Sequence, residues 1–145
     1  MFTMPPLRSS MPLLVAFVFS LLLIPDTASA QQKKIDAATK AAQSWLKLLD
    51  AGDYAATWDK GATPLQSKMP KEKWVEHLKE KAHKDLGALK SRSLAETNYK
   101  SKSGGKYVVA KYNAQYDAKT MLETVTLKKG GGGWKVAGYF LKPAP

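Results

Sequence analysis

Glu-Thr-Val-Thr-Leu-Lys-Lys-Gly-Gly-Gly-Gly-Trp-Lys-Val-Ala-Gly-Tyr-Phe-Leu, residues 123–141, is the stretch that decides the fold. Two runs rich in β-branched and aromatic residues flank a glycine tract, the pattern of a β-hairpin that closes an antiparallel sheet. Gly130 to Gly133 lacks the Lys-Ser/Thr of a phosphate-binding loop and joins two strands rather than opening a helix, so it reads as a hairpin tip. Strict alternation places Trp134, Val136 and Phe140 on one face, which reads as core, and Ala137, Tyr139 and Leu141 on the other. The second set forms an apolar outer stripe and suits a homodimer interface.

Working back from the hairpin, alternation continues as far as Gly87. It gives strands over Leu89 to Asn98, Lys106 to Ala118, Met121 to Lys129 and Trp134 to Lys142, with turns at Ser101 to Gly105 and Gly130 to Gly133. Before Gly87 the period is helical. Ile35, Ala38, Ala42, Trp45 and Leu49 predict an amphipathic helix over about 33 to 50 that stops near Gly52. Asp53 is placed to cap a second, shorter helix with Tyr54 and Trp58 one turn apart, which Gly61 to Pro64 breaks. Pro70 suits the first turn of a third helix carrying Trp74, Leu78 and Ala82 on one stripe down to Leu86, with Gly87 as its stop. Helices followed by a meander imply an α+β domain, N-terminal helices packed on a curved four-stranded antiparallel sheet.

The N-terminus predicts export. Arg8 precedes an apolar run, Leu13 to Ile24, and Ala28-Ser29-Ala30 has the small-residue form that a signal peptidase accepts, so cleavage is expected after Ala30. The run is shorter than the ~20 residues a bilayer span needs, and no transmembrane segment is expected after leader removal. With no cysteine there is neither a lipid-attachment site nor a disulfide, and the expected location is a bacterial periplasm or the medium. Residues 31–145 then form one domain, long enough to hold a core without staples. Losing Arg8 and Asp26 from the 23 basic and 12 acidic side chains leaves the net charge at +11. That charge reads either as a solvated lysine coat or as attraction to anionic envelope components. Nucleic acid is not the expected partner, because export argues against it and 2 of the 23 basic residues are arginines.

A family resemblance rests on Ala-Ala-x-x-Trp-Leu (41–46), Asp-Ala-Gly-Asp-Tyr (50–54), Trp58, Trp74, Leu86-Gly87, Ser91-Arg92, Glu123-Thr124-Val125 and Trp134-x-Val136-x-Gly138-Tyr139. Together these resemble the bacterial family called domain of unknown function 4019. The resemblance implies an exported domain with a fold similar to the cystatin-like cone of nuclear transport factor 2, and no assigned activity. Lys84-Asp85 departs from the arginine and proline expected before Leu86-Gly87, which weakens any site built on two clustered arginines.

Cones of this kind often hold a pocket between the concave sheet face and the helices, so inner-face residues are the candidates. Alternation puts Val108, Ala110, Tyr112, Ala114 and Tyr116 inward, with Arg92 and Leu94 on the first strand and Glu123, Val125 and Leu127 on the third. The candidate ligand-binding set is Trp58, Arg92, Tyr112 and Glu123. An Arg92–Glu123 pair reads either as a structural ion pair or as a grip on an anionic ligand. The aromatic residues read chiefly as core. His77 and His83 are six apart on a helix and face different ways, so no shared metal is expected, and no cofactor or nucleophile motif is present. Three functions follow: a non-catalytic binding module for an anionic or amphipathic ligand, a protein-interaction or dimerisation domain acting through the sheet face, or a small proton-transfer enzyme using Glu123 and Tyr112. Arg92 beside Glu123 disfavours the last, since a neighbouring cation makes a carboxylate a poor base.

Overall fold

A computed structural model describes Thr3 and residues 27–145, so the charged and apolar regions of the expected leader lie outside the described residues. Thr27 to Ala30 form the exposed first turn of helix α1 (Thr27–Asp50), and cleavage after Ala30 would leave the core untouched. Helix α1 buries Ala38, Ala42, Trp45, Leu46 and Leu49, a single stripe at helical spacing. It ends where Gly52 adopts φ 75°, the Gly52 N–H bonding the Leu49 carbonyl and the Asp53 N–H the Leu48 carbonyl, both at 3.0 Å. Asp53 then caps α2 (Tyr54–Asp59), its carboxylate accepting the Ala56 N–H at 3.2 Å.

The chain breaks after α2 as expected, but within Gly61 to Pro64 a further helix, α3 (Thr63–Lys68), already begins, with Pro64 in its first turn. Helix α4 (Lys71–His77) follows Pro70 and runs into a π-helical turn, Leu78–Ala82. The helical stretch stops at Ala82 rather than Leu86. The His83 N–H reaches back to the Leu78 carbonyl at 3.0 Å, and Asp85 (φ 61°) and Gly87 (φ 75°) then turn the chain into the sheet. Three indoles tie these short helices down: Trp45 donates to the Thr57 carbonyl (2.8 Å), Trp74 to the Thr57 hydroxyl (2.9 Å) and Trp58 to the Met69 carbonyl (2.9 Å). Burying an indole N–H without an acceptor is costly, so the fully buried Thr57 is the acceptor that lets two tryptophans enter the core.

Strands β1 (Leu89–Lys102), β2 (Gly105–Tyr116), β3 (Thr120–Gly130) and β4 (Gly133–Pro143) form an open antiparallel sheet in sequence order. The inward set on β2 is as expected, with Val108, Ala110, Tyr112, Ala114 and Tyr116 all buried. On β3, Met121, Glu123, Val125 and Leu127 face the same core. Strand β4 departs from strict alternation. Leu127 pairs with Val136 but Thr126 with Gly138, which leaves Ala137 as an extra residue. This bulge shifts the pleat by one residue, so Val136 stays inward while Tyr139 and Leu141 turn inward opposite Val125 and Glu123. Phe140 is thereby put outside at 70% exposure, and neither the expected Phe140 core position nor the outer stripe of Tyr139 and Leu141 exists.

Gly87 is required on two counts. A Cβ there would sit 2.6 Å from the Asp117 Cβ, and its φ lies in the left-handed region. Asp117 in turn accepts the Ala88 N–H at 2.8 Å, fixing the entry to β1. Gly87→Ala is expected to lower stability by more than about 1 kcal/mol, read as a reduced urea midpoint at unchanged slope.

Candidate functional site

Glu123 has no exposed surface and lies in register between Val125 of the larger core cluster and Met121 of the smaller one. A carboxylate there must collect donors, and it takes one from each of the other three strands. Arg92 of β1 donates from Nε to Oε2 at 2.5 Å and from Nη2 to Oε1 at 3.3 Å. Tyr116 of β2 donates to Oε1 at 2.6 Å and Tyr139 of β4 at 2.9 Å. The Ala137 bulge is what delivers Tyr139 to this position.

The far side of Arg92 forks onto Asp50, the last residue of α1, with Nη1–Oδ2 at 2.7 Å and Nη2–Oδ1 at 2.8 Å. One guanidinium therefore bridges two carboxylates and joins α1 to β1 and β3. Burial alone would lower the Arg92 pKa, but the hydrogen bonds and charges of Asp50 and Glu123 more than offset it and hold the group protonated. Burial, with Glu123 close by, pushes the Tyr116 and Tyr139 phenols well above their ordinary value, so both remain donors.

His83 closes the cluster. Its ring stacks on Tyr139 (6.0 Å, 12°), meets Tyr116 edge-on at 6.0 Å and tilts against Tyr54 at 6.0 Å. Its Nε2 lies 3.2 Å from the Tyr139 hydroxyl. Because that hydroxyl gives its proton to Glu123, Nε2 carries the hydrogen and donates to Tyr139. Burial lowers the His83 pKa, and the Arg92 charge adds to this, while the charges of Glu123 and Asp50 oppose it.

Of the four residues singled out from sequence, the fold unites Arg92 and Glu123. Tyr112 is the register partner of Glu123, yet its hydroxyl is buried without a hydrogen-bond partner among the described residues. Burial raises its pKa. Trp58 is not part of this hydrogen-bonded cluster and ties α2 to the segment before α4. Sequence reasoning missed Asp50, Tyr139 and His83 as partners. For Asp50 a signal existed, since an acidic residue in the last turn of a helix opposes the helix dipole and calls for a cation. Among the described residues no group of His, Cys, Asp and Glu could hold a metal ion, and no helix is long and apolar enough to cross a membrane.

A cavity of about 560 Å³ lies along β4, between that strand and α3, α4 and the π-turn, and Tyr139 of the cluster is part of its lining. Its apolar wall includes Leu65, Met69, Trp74 and Phe140, and Lys68, His77 and Lys81 supply its basic side chains. Among the described residues no carboxylate lines it.

Three outcomes test the buried cluster. Arg92→Met strands a buried carboxylate and is expected to cost about 3–5 kcal/mol in chemical denaturation, more than Glu123→Gln, which leaves no unpaired charge. Tyr112→Phe removes an unsatisfied hydroxyl and should leave stability equal or higher, by up to about 1 kcal/mol. For His83 the folded-state pKa lies below the unfolded value, so the unfolded chain binds more protons as pH falls through 6.5. The melting temperature should therefore drop across that window in the native chain, and less in His83→Gln.

A family model described as "Protein of unknown function (DUF4019)" matches residues 41–139, about two thirds of the chain. The match begins within α1 and ends at Tyr139, so it takes in the whole Glu123 cluster. No curated protein matches the chain. The chain belongs to the DUF4019 family.

Proposed function

We propose that this DUF4019 member is a non-catalytic binding protein for an amphipathic anion, taken up in the cavity along β4. The observation that carries the reading is a cavity with a largely apolar wall and, among the described residues, three basic side chains and no acid. Its volume of about 560 Å³ is within the range of roughly 300–1,000 Å³ usual for small-ligand sites. An acyl chain would lie against Trp74, Met69 and Phe140, with its charged head within reach of the exposed Lys68 and Lys81. Placing the outward Phe140 in water costs stability unless something covers it, and an apolar ligand does so.

The Glu123 cluster serves this function by holding β4 and the π-turn, the two walls of the cavity, in fixed relation. Arg92 already forks onto two carboxylates, and an incoming anion there would have to displace Asp50. Proton transfer by Glu123 has little support, because a general base must reach its substrate and this carboxylate has no exposed surface.

The test is titration of the protein with laurate and with dodecanol, followed by tryptophan fluorescence. Laurate is expected to bind more tightly than dodecanol. Lys68→Gln and Lys81→Gln should each weaken laurate binding roughly two- to fivefold, as expected for exposed ion contacts. Gly138→Leu should abolish it, since Gly138 lines the cavity and its nearest neighbour, the Thr126 Cβ, leaves room at 3.9 Å for the new side chain. Equal binding of laurate and dodecanol, or full binding by Gly138→Leu, would overturn the reading.

A further inference from the structure

The β1–β2 and β3–β4 hairpins point the same way, because four antiparallel strands in sequence order place alternate turns at one end. That end carries Lys100, Lys102, Lys106, Lys128, Lys129 and Lys135, and segments 98–107 and 126–137 contain no Asp or Glu. Register aligns Lys100, Tyr107, Lys128 and Lys135 as one row across all four strands on the outer face. Lys128 and Lys135 are direct cross-strand partners, an arrangement that like charge makes destabilising. Among the described residues, none of the six is in an ion pair with a carboxylate. Lys128 lies over the Tyr107 ring at 5.6 Å and Lys129 over Trp134 at 5.9 Å, so each hairpin presents an aromatic ring beside its cations. The intervening Gly131 and Gly132 have open space where a side chain would be, which leaves the tip backbone uncovered.

We propose that this end of the sheet docks on an anionic lipid bilayer, with the lysine row against phosphate headgroups and the glycine tip reaching between them. The row spans three inter-strand spacings, about 14 Å, which suits a plane of charges better than a single small anion. Lysine is a mobile point charge rather than a bidentate fork, as suits fluid headgroups without fixed geometry, and Tyr and Trp favour the water–lipid boundary. Folding gains nothing from the repulsion between Lys128 and Lys135, whereas a polyanionic surface turns it into attraction. This surface lies apart from the cavity beside α4, so the proposal stands or falls independently of the ligand assigned there.

The experiment is co-sedimentation of the full chain with vesicles of phosphatidylcholine and with vesicles of phosphatidylcholine and phosphatidylglycerol in equal parts. The ratio of the two partition coefficients removes any contribution of the apolar Leu13 to Ile24 segment. That ratio should fall roughly 100-fold in Lys100→Gln/Lys128→Gln/Lys135→Gln, taking about fivefold per lysine. It should change by less than about threefold, a small rim effect, in Lys33→Gln/Lys40→Gln/Lys47→Gln, which removes the same charge from the exposed face of α1. The sheet variant should also melt no lower than the native chain, since it relieves repulsion. Equal loss in the two variants would show that net charge alone attracts the protein and would overturn the site. A ratio near one for the native chain would also overturn it, and so would binding of soluble polyphosphate through the same lysines without vesicle binding.

Discussion

An ionised carboxylate with no exposed surface is tolerated only when its partners are already in place, and Glu123 is held this way by one donor from each of the other three strands. Arg92 extends the arrangement to Asp50 at the end of α1, and Tyr139 extends it to His83 beyond the π-turn. A shift of any one strand by a single residue would point its donor at solvent and leave the charge uncompensated. Apolar packing can slide, but a buried ion pair with directional donors cannot. The cluster therefore specifies strand register and the seating of α1 in a way that the surrounding leucines and valines do not.

Much of this was legible from sequence. The hairpin, the order of helices and strands, the Asp53 cap, the Gly52 stop and the inward faces of β2 and β3 followed from period and turn chemistry. So did the meeting of Arg92 with Glu123, because alternation turns both charges inward, Arg92 with Leu94 and Glu123 with Val125 and Leu127. What escaped was governed by events that leave almost no local trace. The bulge at Ala137 lies in a stretch whose alternation reads cleanly, and it moves Tyr139 and Leu141 inside and Phe140 outside. Helix α3 is only six residues long and starts inside the Gly61 to Pro64 stretch that announces a break. Sequence spacing tests His83 only as a metal ligand, whereas its neighbours are three tyrosine rings brought together from distant elements.

The bulge links stability to the proposed role. By turning Tyr139 inward it completes the shell around Glu123, and by the same half-turn of the pleat it places Gly138 and Phe140 on the wall of the cavity. The buried charge thus fixes the rigid frame, and the surface it positions is open, apolar and flanked by lysines. Three of the four candidate binding residues read from sequence, Arg92, Tyr112 and Glu123, lie on the inner sheet face, where the charged pair is. The cavity instead draws on residues from α3, α4 and the π-turn together with β4, and only the three-dimensional arrangement brings them to one place.

A double-mutant cycle between Arg92 and Glu123, scored by unfolding free energy and by laurate affinity on the same four proteins, tests the central claim most directly. If the pair is the structural frame, its coupling energy should exceed about 2 kcal/mol, well above that of exposed pairs. In that case every variant that remains folded should bind laurate within about threefold of the native protein, since neither residue lines the cavity. A coupling below about 0.5 kcal/mol, the value of a solvent-exposed pair, would contradict the account. Loss of laurate binding in a fully folded Arg92 variant would do so as well.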